Sequence, residues 1–331
     1  MKPFALHIVI VTYNNRWDYL NTNLTQLEIC APDSSVVVVN NGGDVDLSKN
    51  LSKYKFSSLE IINSSSNRGS AWAFKVGIQS VLNTDRSDLI FLLDDDNLIA
   101  PDAIKILTDN FTQYSSHYSF DGFALMAIRL QRNYLTAVAA GASVDSHFPQ
   151  ANEFLGFGIR QVRNKFLIGK TNSTAIKRGI RIPCAPYGGL FFHKNLIKKI
   201  GLPDERFFVY ADDFEFTYRI SKSGGGIFLI PNGKISDIEE SWQARSSESV
   251  FRPKFLFPEN NLTYIAVRNF VYFQKQNLVT NQFYFWVNKS LYTLILLLIA
   301  IFTFRMGAFK RFRKAVNDGI KGVFDNKFYL N

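Results

Sequence analysis

Phe91-Leu92-Leu93-Asp94-Asp95-Asp96-Asn97 is the stretch that decides the fold. The apolar run from Leu89 to Leu93 reads as a buried strand, and it stops abruptly at three consecutive carboxylates. Alternation along an extended chain puts Asp94 and Asp96 on one side, able to reach a single hard cation, with Asp95 turned away. Three adjacent ionised aspartates repel one another unless something neutralises them, and a divalent metal with a diphosphate does so. The plainer alternative is an acidic turn before the helix that starts near Pro101.

Outward from this strand, short β-rich runs alternate with longer mixed segments, the pattern of βα units and a largely parallel sheet. Strands are predicted over Ala5–Val11, Ser35–Asn40, Leu59–Asn63 and Leu89–Leu93, and helices over Arg16–Ile29, Ser70–Leu82 and Pro101–Tyr114. Every polar cluster in this half follows the carboxyl end of a strand, where open α/β sheets bind ligands. The middle, from about Phe120 to Pro231, is less regular and glycine-punctuated. From Pro258 onward the pattern is helical again, through Asn260–Gln276 and Phe283–Phe304, ending in a basic tail.

A second acidic cluster lies in Phe207-Phe208-Val209-Tyr210-Ala211-Asp212-Asp213-Phe214-Glu215-Phe216. Carboxylates held against aromatic neighbours have raised pKa values, which suits a general base. The same residues fit a helix N-terminus, where acids complement the dipole, and the two readings are compatible.

Composition narrows the class. Apolar residues make up 47% of the 331-residue chain and charged residues 20%, which excludes a disordered protein. Two cysteines, Cys30 and Cys184, cannot build a disulfide framework, so a reducing compartment is expected. The apolar start, Phe4 to Val11, runs into Thr12-Tyr13-Asn14-Asn15 and reads as a strand, with no cleavage site of a signal peptide. The net charge of +10 calls for an anionic partner, nucleic acid or membrane. Arg305 to Lys327 holds seven cations against Asp318 and Asp325, directly after the apolar run Leu291–Phe304, which favours the membrane. No nucleic-acid-binding fingerprint is present, and an RNA-binding protein ranks last because the aromatics cluster with carboxylates.

Taken together, the chain resembles inverting glycosyltransferases of family 2, with the GT-A fold. The matching pieces occur in the expected order: Val11-Thr12-Tyr13-Asn14; Val39-Asn40-Asn41-Gly42-Gly43; Asn67-Arg68-Gly69; Asp94–Asp96; Tyr187-Gly188-Gly189-Leu190-Phe191; and Asp212-Asp213-Phe214-Glu215-Phe216. The likeness covers about residues 4 to 240. Arg268-Asn269 and Asp318-Gly319-Ile320-Lys321-Gly322 are similar to the C-terminal part of the polysaccharide-assembling subset.

The resemblance implies roles position by position. Thr12, Tyr13, Asn40 and Asn41 would hold the nucleoside, with Asn40 standing where the family often has Asp. Asn67 and Arg68 would lie near the phosphates, Asp94 and Asp96 would bind Mn²⁺ or Mg²⁺, and Asp95 would face the donor sugar or ribose. Gly188 and Gly189 would let backbone approach the sugars, Asp213 would be the base, and Asp212 and Glu215 would orient the acceptor. Many relatives place a His after the strand that follows the base motif; here Asp237 stands in that region as the third metal-ligand candidate, while His193 reads as a strand end. Asp-Asp-Phe-Glu-Phe most resembles the galactofuranosyltransferase branch, which implies UDP-galactofuranose as donor and a lipid-linked glycan acceptor. A dTDP-rhamnose-dependent rhamnosyltransferase is the alternative, and an inactive sugar-nucleotide- or glycan-binding scaffold is a third reading.

The expected organisation is an α/β GT-A catalytic domain over residues 1–245, a Rossmann-like mostly parallel sheet with flanking helices. A helical region over 246–331 follows, with an apolar helix at about 283–304. Because the uncharged run Leu291–Phe304 has 14 residues and Asn288-Lys289 interrupt it upstream, it is read as too short to span a bilayer. A helix lying in the interface, anchored by Trp286 and Tyr292 on anionic lipid, is expected instead. The C-terminal helices are equally suited to packing on protein, including a second copy of the chain. The implied location is cytoplasmic, peripheral on the cytoplasmic face of the membrane.

Overall fold

A computed structural model describes residues 4–43, 47–84, 88–159, 179–239, 255–257 and 262–325. The chain divides into two compact units. The first comprises Met1–Val144, Ser173–Phe208 and Asp212–Ala244; the second comprises Asp145–Asn172, Val209–Ala211 and Arg245–Asn331.

The first unit is built on one nine-stranded sheet. Its strands are β1 (Leu6–Tyr13), β2 (Ser35–Asn41), β3 (Ser58–Ser64), β4 (Leu89–Asp94), β5 (Asn97–Ile99), β6 (Phe123–Arg129), β7 (Ile180–Ile182), β8 (Leu190–His193) and β9 (Gly226–Asp237). The spatial order is β3-β2-β1-β4-β8-β6-β9-β5, with β7 also paired to β9. Strands β3, β2, β1 and β4 run parallel, as the βα spacing predicts. β8 enters antiparallel between β4 and β6, and β6 and β9 are parallel. Covered on both faces, β1, β2, β4 and β6 need no polar side, hence their continuous runs of Ile, Val, Leu and Phe.

The helices of this unit are α1 (Trp17–Cys30), α2 (Leu47–Leu51), α3 (Gly69–Leu82), α4 (Ala103–Tyr114), α5 (Asn133–Ala139), α6 (Asn195–Ile200) and α7 (Asp212–Lys222). α3 lies so close to the sheet that a Cβ at Gly77 would come within 2.4 Å of Val9 Cγ1. On the other face, Phe91, Phe111, Phe123 and Phe191 pack ring against ring.

The second unit contains α8 (Leu262–Asn277), α9 (Gln282–Phe302) and α10 (Met306–Lys321). α8 and α10 meet at Gly319, where a Cβ would fall 2.4 Å from the Arg268 carbonyl oxygen. Tyr264 of α8 and Lys314 of α10 both bond Asp318. Asn269 donates from Nδ2 to the carbonyls of Val209 (2.8 Å) and Tyr210 (2.9 Å), and Arg268 holds the Asn269 Oδ1.

α9 corrects one expectation. The helix runs unbroken through Asn288-Lys289 for 21 residues and is long and apolar enough, by length and composition, to cross a membrane. Asn288 is not an interruption because it faces inward: its Nδ2 donates to the Asn152 carbonyl and its Oδ1 accepts the Ile159 N–H. Phe285, Asn288, Leu296 and Ala300 are buried, whereas Leu291, Leu294, Ile295, Leu298, Ile301 and Phe302 are exposed. The predicted start at Asn260 and the last predicted cation, Lys327, lie outside the described residues.

Candidate active site

The chain leaves β4 in mid-sheet through the turn Asp95-Asp96 and re-enters it as β5 at the far edge. This turn carries the carboxylate triplet at the carboxyl end of the parallel strands. The Asp95 N–H donates to Val11 O, and Asn23 of α1 donates from Nδ2 to the Asp94 and Asp95 carbonyls. The turn is therefore fixed from two elements before any side chain is considered.

The Asp95 carboxylate is engaged inside the protein. Thr12 Oγ1 donates to Asp95 Oδ2 at 2.7 Å, and Arg16 donates from Nε (2.9 and 3.1 Å) and Nη2 (3.0 Å). Burial raises the Asp95 pKa, against the pull of Arg16. Thr12 thus holds a carboxylate, and Tyr13, expected beside the nucleoside, is half-exposed at the strand end with the Arg16 guanidinium 4.9 Å from its ring centre.

Asp94 and Asp96 hold the open positions, their side chains 36% and 14% exposed. Asp94 Oδ2 accepts from Arg129 Nη1 at 2.9 Å. Asp96 Oδ1 accepts from Asn97 Nδ2 at 3.0 Å, and its one ion pair among the described residues is with Arg16 at 3.9 Å. Burial and the Asp94 charge push the Asp96 pKa up to about 7. A carboxyl so destabilised as an anion lies where added positive charge is favoured.

Asp237 differs from expectation. Its side chain is 1% exposed and its Oδ1 accepts from Arg129 Nε at 2.8 Å and from Asn97 Nδ2 at 3.2 Å. Arg129, at the end of β6, stands between Asp237 and Asp94. Among the described residues no three His, Cys, Asp or Glu side chains are gathered to hold a metal by themselves. The acidic pair Asp94 and Asp96 suits a hard divalent cation, which would need further ligands from outside the protein. His193 is remote, because the antiparallel register sets it beside Leu89 at the opposite end of β4.

The second acidic motif starts α7, as the helix-terminus reading anticipates. The backbone entering it has positive φ at Phe208 (65°), Tyr210 (66°) and Ala211 (60°). Phe208 is close to Gly69, where a Cβ would sit 2.1 Å from the Phe208 carbonyl oxygen, so only glycine fits there. Asp212 is buried and accepts from Ser70 Oγ at 2.7 Å; burial and then Asp213 drive its pKa up. Asp213 Oδ1 accepts the Phe214 N–H at 2.8 Å, and burial raises its pKa to about 6 against that bond and the nearby Arg132. Asp94 is also among the charges acting on Asp213. Glu215 does not join them: it pairs with Arg219, whose Nη1 ties the carbonyls of Ile200 and Leu202.

Gly188 and Gly189 precede β8 at this same sheet end. A Cβ on Gly188 would fall 2.2 Å from Asn97 Oδ1, 2.7 Å from Asp94 Oδ2 and 2.8 Å from Arg129 Nη1. The glycine therefore makes room for the Asp94–Arg129 pair. Gly189 has φ +102° and donates its N–H to Leu92 O at 2.8 Å. Thr217 of α7 bonds both backbone groups of Ala185, joining this segment to the helix that carries Asp213.

Asn40, Asn41 and Asn67 form a hydrogen-bonded loop lattice. Asn40 bonds Gly43 and Asn63; Asn41 bonds Asn67, Arg68 and Gly69. Arg68 projects outward over Trp72, its guanidinium 4.4 Å from the ring centre. Sequence reasoning missed Arg16, Asn97 and Arg129. The signal for Arg129 is a lone cation ending the apolar run Phe123–Ile128, in register with the strand that carries Asp237.

The profile described as "Glycosyl transferase family 2" matches residues 7–125. No curated protein matches the chain. Among solved structures, GalNAc-T7, crystallised with UDP, GalNAc and Mn²⁺, is similar with a TM-score of 0.51 at 13% identity, over 81% of this chain and 48% of its own. The chain thus spans about half the length of that protein. Residues 1–349 of S. aureus TarS give 0.48 at 15% identity, over 96% and 92% of the two chains. The mannosyltransferase PcManGT from Pyrobaculum calidifontis, in complex with GDP-Man and Mn²⁺, gives 0.48 at 13% identity, over 96% and 75%. On the GalNAc-T7 likeness the sheet with its flanking helices has the GT-A fold, and its residues 7–125 carry the match to glycosyl transferase family 2.

Proposed function

We propose that the chain is a metal-dependent inverting glycosyltransferase that moves a sugar from a nucleotide donor to a hydroxyl of a growing, lipid-linked surface polysaccharide. The favoured donor is UDP-galactofuranose, on the Asp-Asp-Phe-Glu-Phe motif. The observation that carries the reading is the joint placement of two differently tuned carboxyl groups. Asp96 and Asp213, with pKa values raised to about 7 and about 6, lie at one sheet end and share Asp94 as a charged neighbour.

A Mn²⁺ or Mg²⁺ ion held by Asp94 and Asp96 would supply Lewis-acid stabilisation to the departing diphosphate. The chain's own residues do the rest. Asp213 accepts the proton of the acceptor hydroxyl, and its raised pKa makes it a stronger base than a free carboxylate. Attack opposite the leaving diphosphate inverts the anomeric centre. Thr12, Arg16 and Asn23 keep the triplet turn rigid, and Tyr13 and Arg68 offer exposed surfaces for the nucleotide.

The exposed apolar stripe of α9 and the cations Lys310, Arg311, Arg313 and Lys321 support docking on anionic lipid, at about 1 kcal/mol per cation. Because Phe285, Asn288, Leu296 and Ala300 are buried inside its unit, α9 suits the plane of the interface better than a crossing. The test of the reaction is incubation with Mn²⁺ and UDP-galactofuranose, dTDP-rhamnose or UDP-galactose, with an alkyl glycoside acceptor, followed by NMR. An inverted glycoside formed from UDP-galactofuranose is expected. A product from dTDP-rhamnose alone reassigns the donor, and no product from any donor refutes the enzyme.

A further inference from the structure

We infer that Arg129 is the resident cation of the donor site and that Asp237 serves to hold it, so that a metal there takes protein oxygens from Asp94 and Asp96 only. The inference rests on the metal-dependent donor reading above and deepens it by removing one ligand and adding one positioning residue.

Arg129 is the last residue of β6, and its side chain is 3% exposed. It donates from Nε to Asp237 Oδ1 at 2.8 Å, with Nη2 ion-paired to the same oxygen at 2.8 Å, and from Nη1 to Asp94 Oδ2 at 2.9 Å. With Asn97 Nδ2 at 3.2 Å, Asp237 Oδ1 accepts two N–H groups, which occupy both of its lone pairs. The other oxygen, Oδ2, is buried without a hydrogen bond and faces Arg132 Nε at 3.6 Å. A metal on Asp237 Oδ1 would have to displace a buried guanidinium from its best partner, which is strongly destabilising, and one on Oδ2 would lie against the Arg132 guanidinium. The glycine at 188 points the same way, since a Cβ there would strike Asp94 Oδ2 and Arg129 Nη1 together. The fold reserves that space for the Asp94–Arg129 pair, which fixes how Asp94 presents its remaining oxygen.

The test is Mn²⁺ affinity in the presence of UDP, read by electron paramagnetic resonance of free Mn²⁺, with thermal melting as the check on folding. The unaltered chain is compared with Asp96→Asn and with the double variant Arg129→Gln/Asp237→Asn, which removes one charge of each sign and leaves the site's net charge unchanged. Asp96→Asn is expected to remove measurable Mn²⁺ binding, and the double variant to weaken it only about tenfold, the cost of losing a group that orients a ligand. A double variant that folds and loses Mn²⁺ as Asp96→Asn does overturns the inference and restores Asp237 as a ligand. If the double variant does not fold, Arg129→Lys decides: Mn²⁺ retained with the cation supports the assignment, and loss overturns it. An unaltered chain that retains no Mn²⁺ with UDP overturns the donor-site reading itself, and this assignment with it.

Discussion

Replacing Asp213 by Asn should make the protein inactive and more stable at once. Asp213 has its pKa raised from 3.8 to about 6, chiefly by burial. For a carboxyl raised in the folded state, the stabilising contribution is complete below 3.8 and is lost as pH climbs through about 6. A shift of roughly two units is worth about 3 kcal/mol, so at pH 8 the folded protein bears about that cost for keeping Asp213 ionised. Asparagine cannot ionise and still accepts the Phe214 N–H through its amide oxygen. The variant should therefore melt several degrees above the unaltered protein at pH 8, with about half the gain at pH 5. Its turnover should fall below about 1%, the loss expected when a general base is removed. Turnover of the unaltered protein should rise with pH through about 6. Melting curves at the two pH values, paired with a UDP-release assay, give both readouts. A variant no more stable at pH 8 than the unaltered protein, or one that keeps turning over, refutes the assignment of Asp213 as a destabilised base.

Three other outcomes follow from the same geometry. Arg16→Met leaves Asp95 buried with its main cation gone, and chemical denaturation should show a loss of about 3–5 kcal/mol; a loss under about 1 kcal/mol would mean Asp95 is neutral already. Gly188→Ala places a methyl against Asn97, Asp94 and Arg129 and should cost about 1–3 kcal/mol while weakening metal-dependent UDP binding, so an unchanged melt and affinity would show that the turn yields freely. The double change Leu294→Glu/Leu298→Glu alters two exposed side chains of α9 and should abolish flotation with anionic vesicles at an unchanged melting temperature; undiminished flotation would place the lipid contact elsewhere.

The N-terminal half was legible because β1, β2 and β4 are buried on both faces and read as unbroken apolar runs ending in polar residues, while the edge strand β3, only partly covered, keeps its β-branched and apolar residues around Glu60. β1, β2, β3 and β4 lie within two residues of their predicted bounds at either end. The middle was opaque for a topological reason: β8 inserts antiparallel between β4 and β6, and β5 is a three-residue strand paired to β9, and no local pattern encodes such long-range pairings. The carboxylates were found as residue types, but their partners were not. Alternation sets Asp95 apart only as an expectation, and it is the fold that brings Thr12 and Arg16 to it. The resemblance put Glu215 beside Asp213, whereas one helical turn away Arg219 claims it. Asp237 sits two residues beyond Ile235, the register partner of Arg129, and that pairing is invisible without the sheet.

The most direct test of the central claim is calorimetric titration of the full chain with UDP in the presence of Mn²⁺, repeated in EDTA and with dTDP and GDP. The account expects UDP to bind with Mn²⁺ and to lose that binding in EDTA. Heat from none of the three nucleotides with Mn²⁺ present would contradict it.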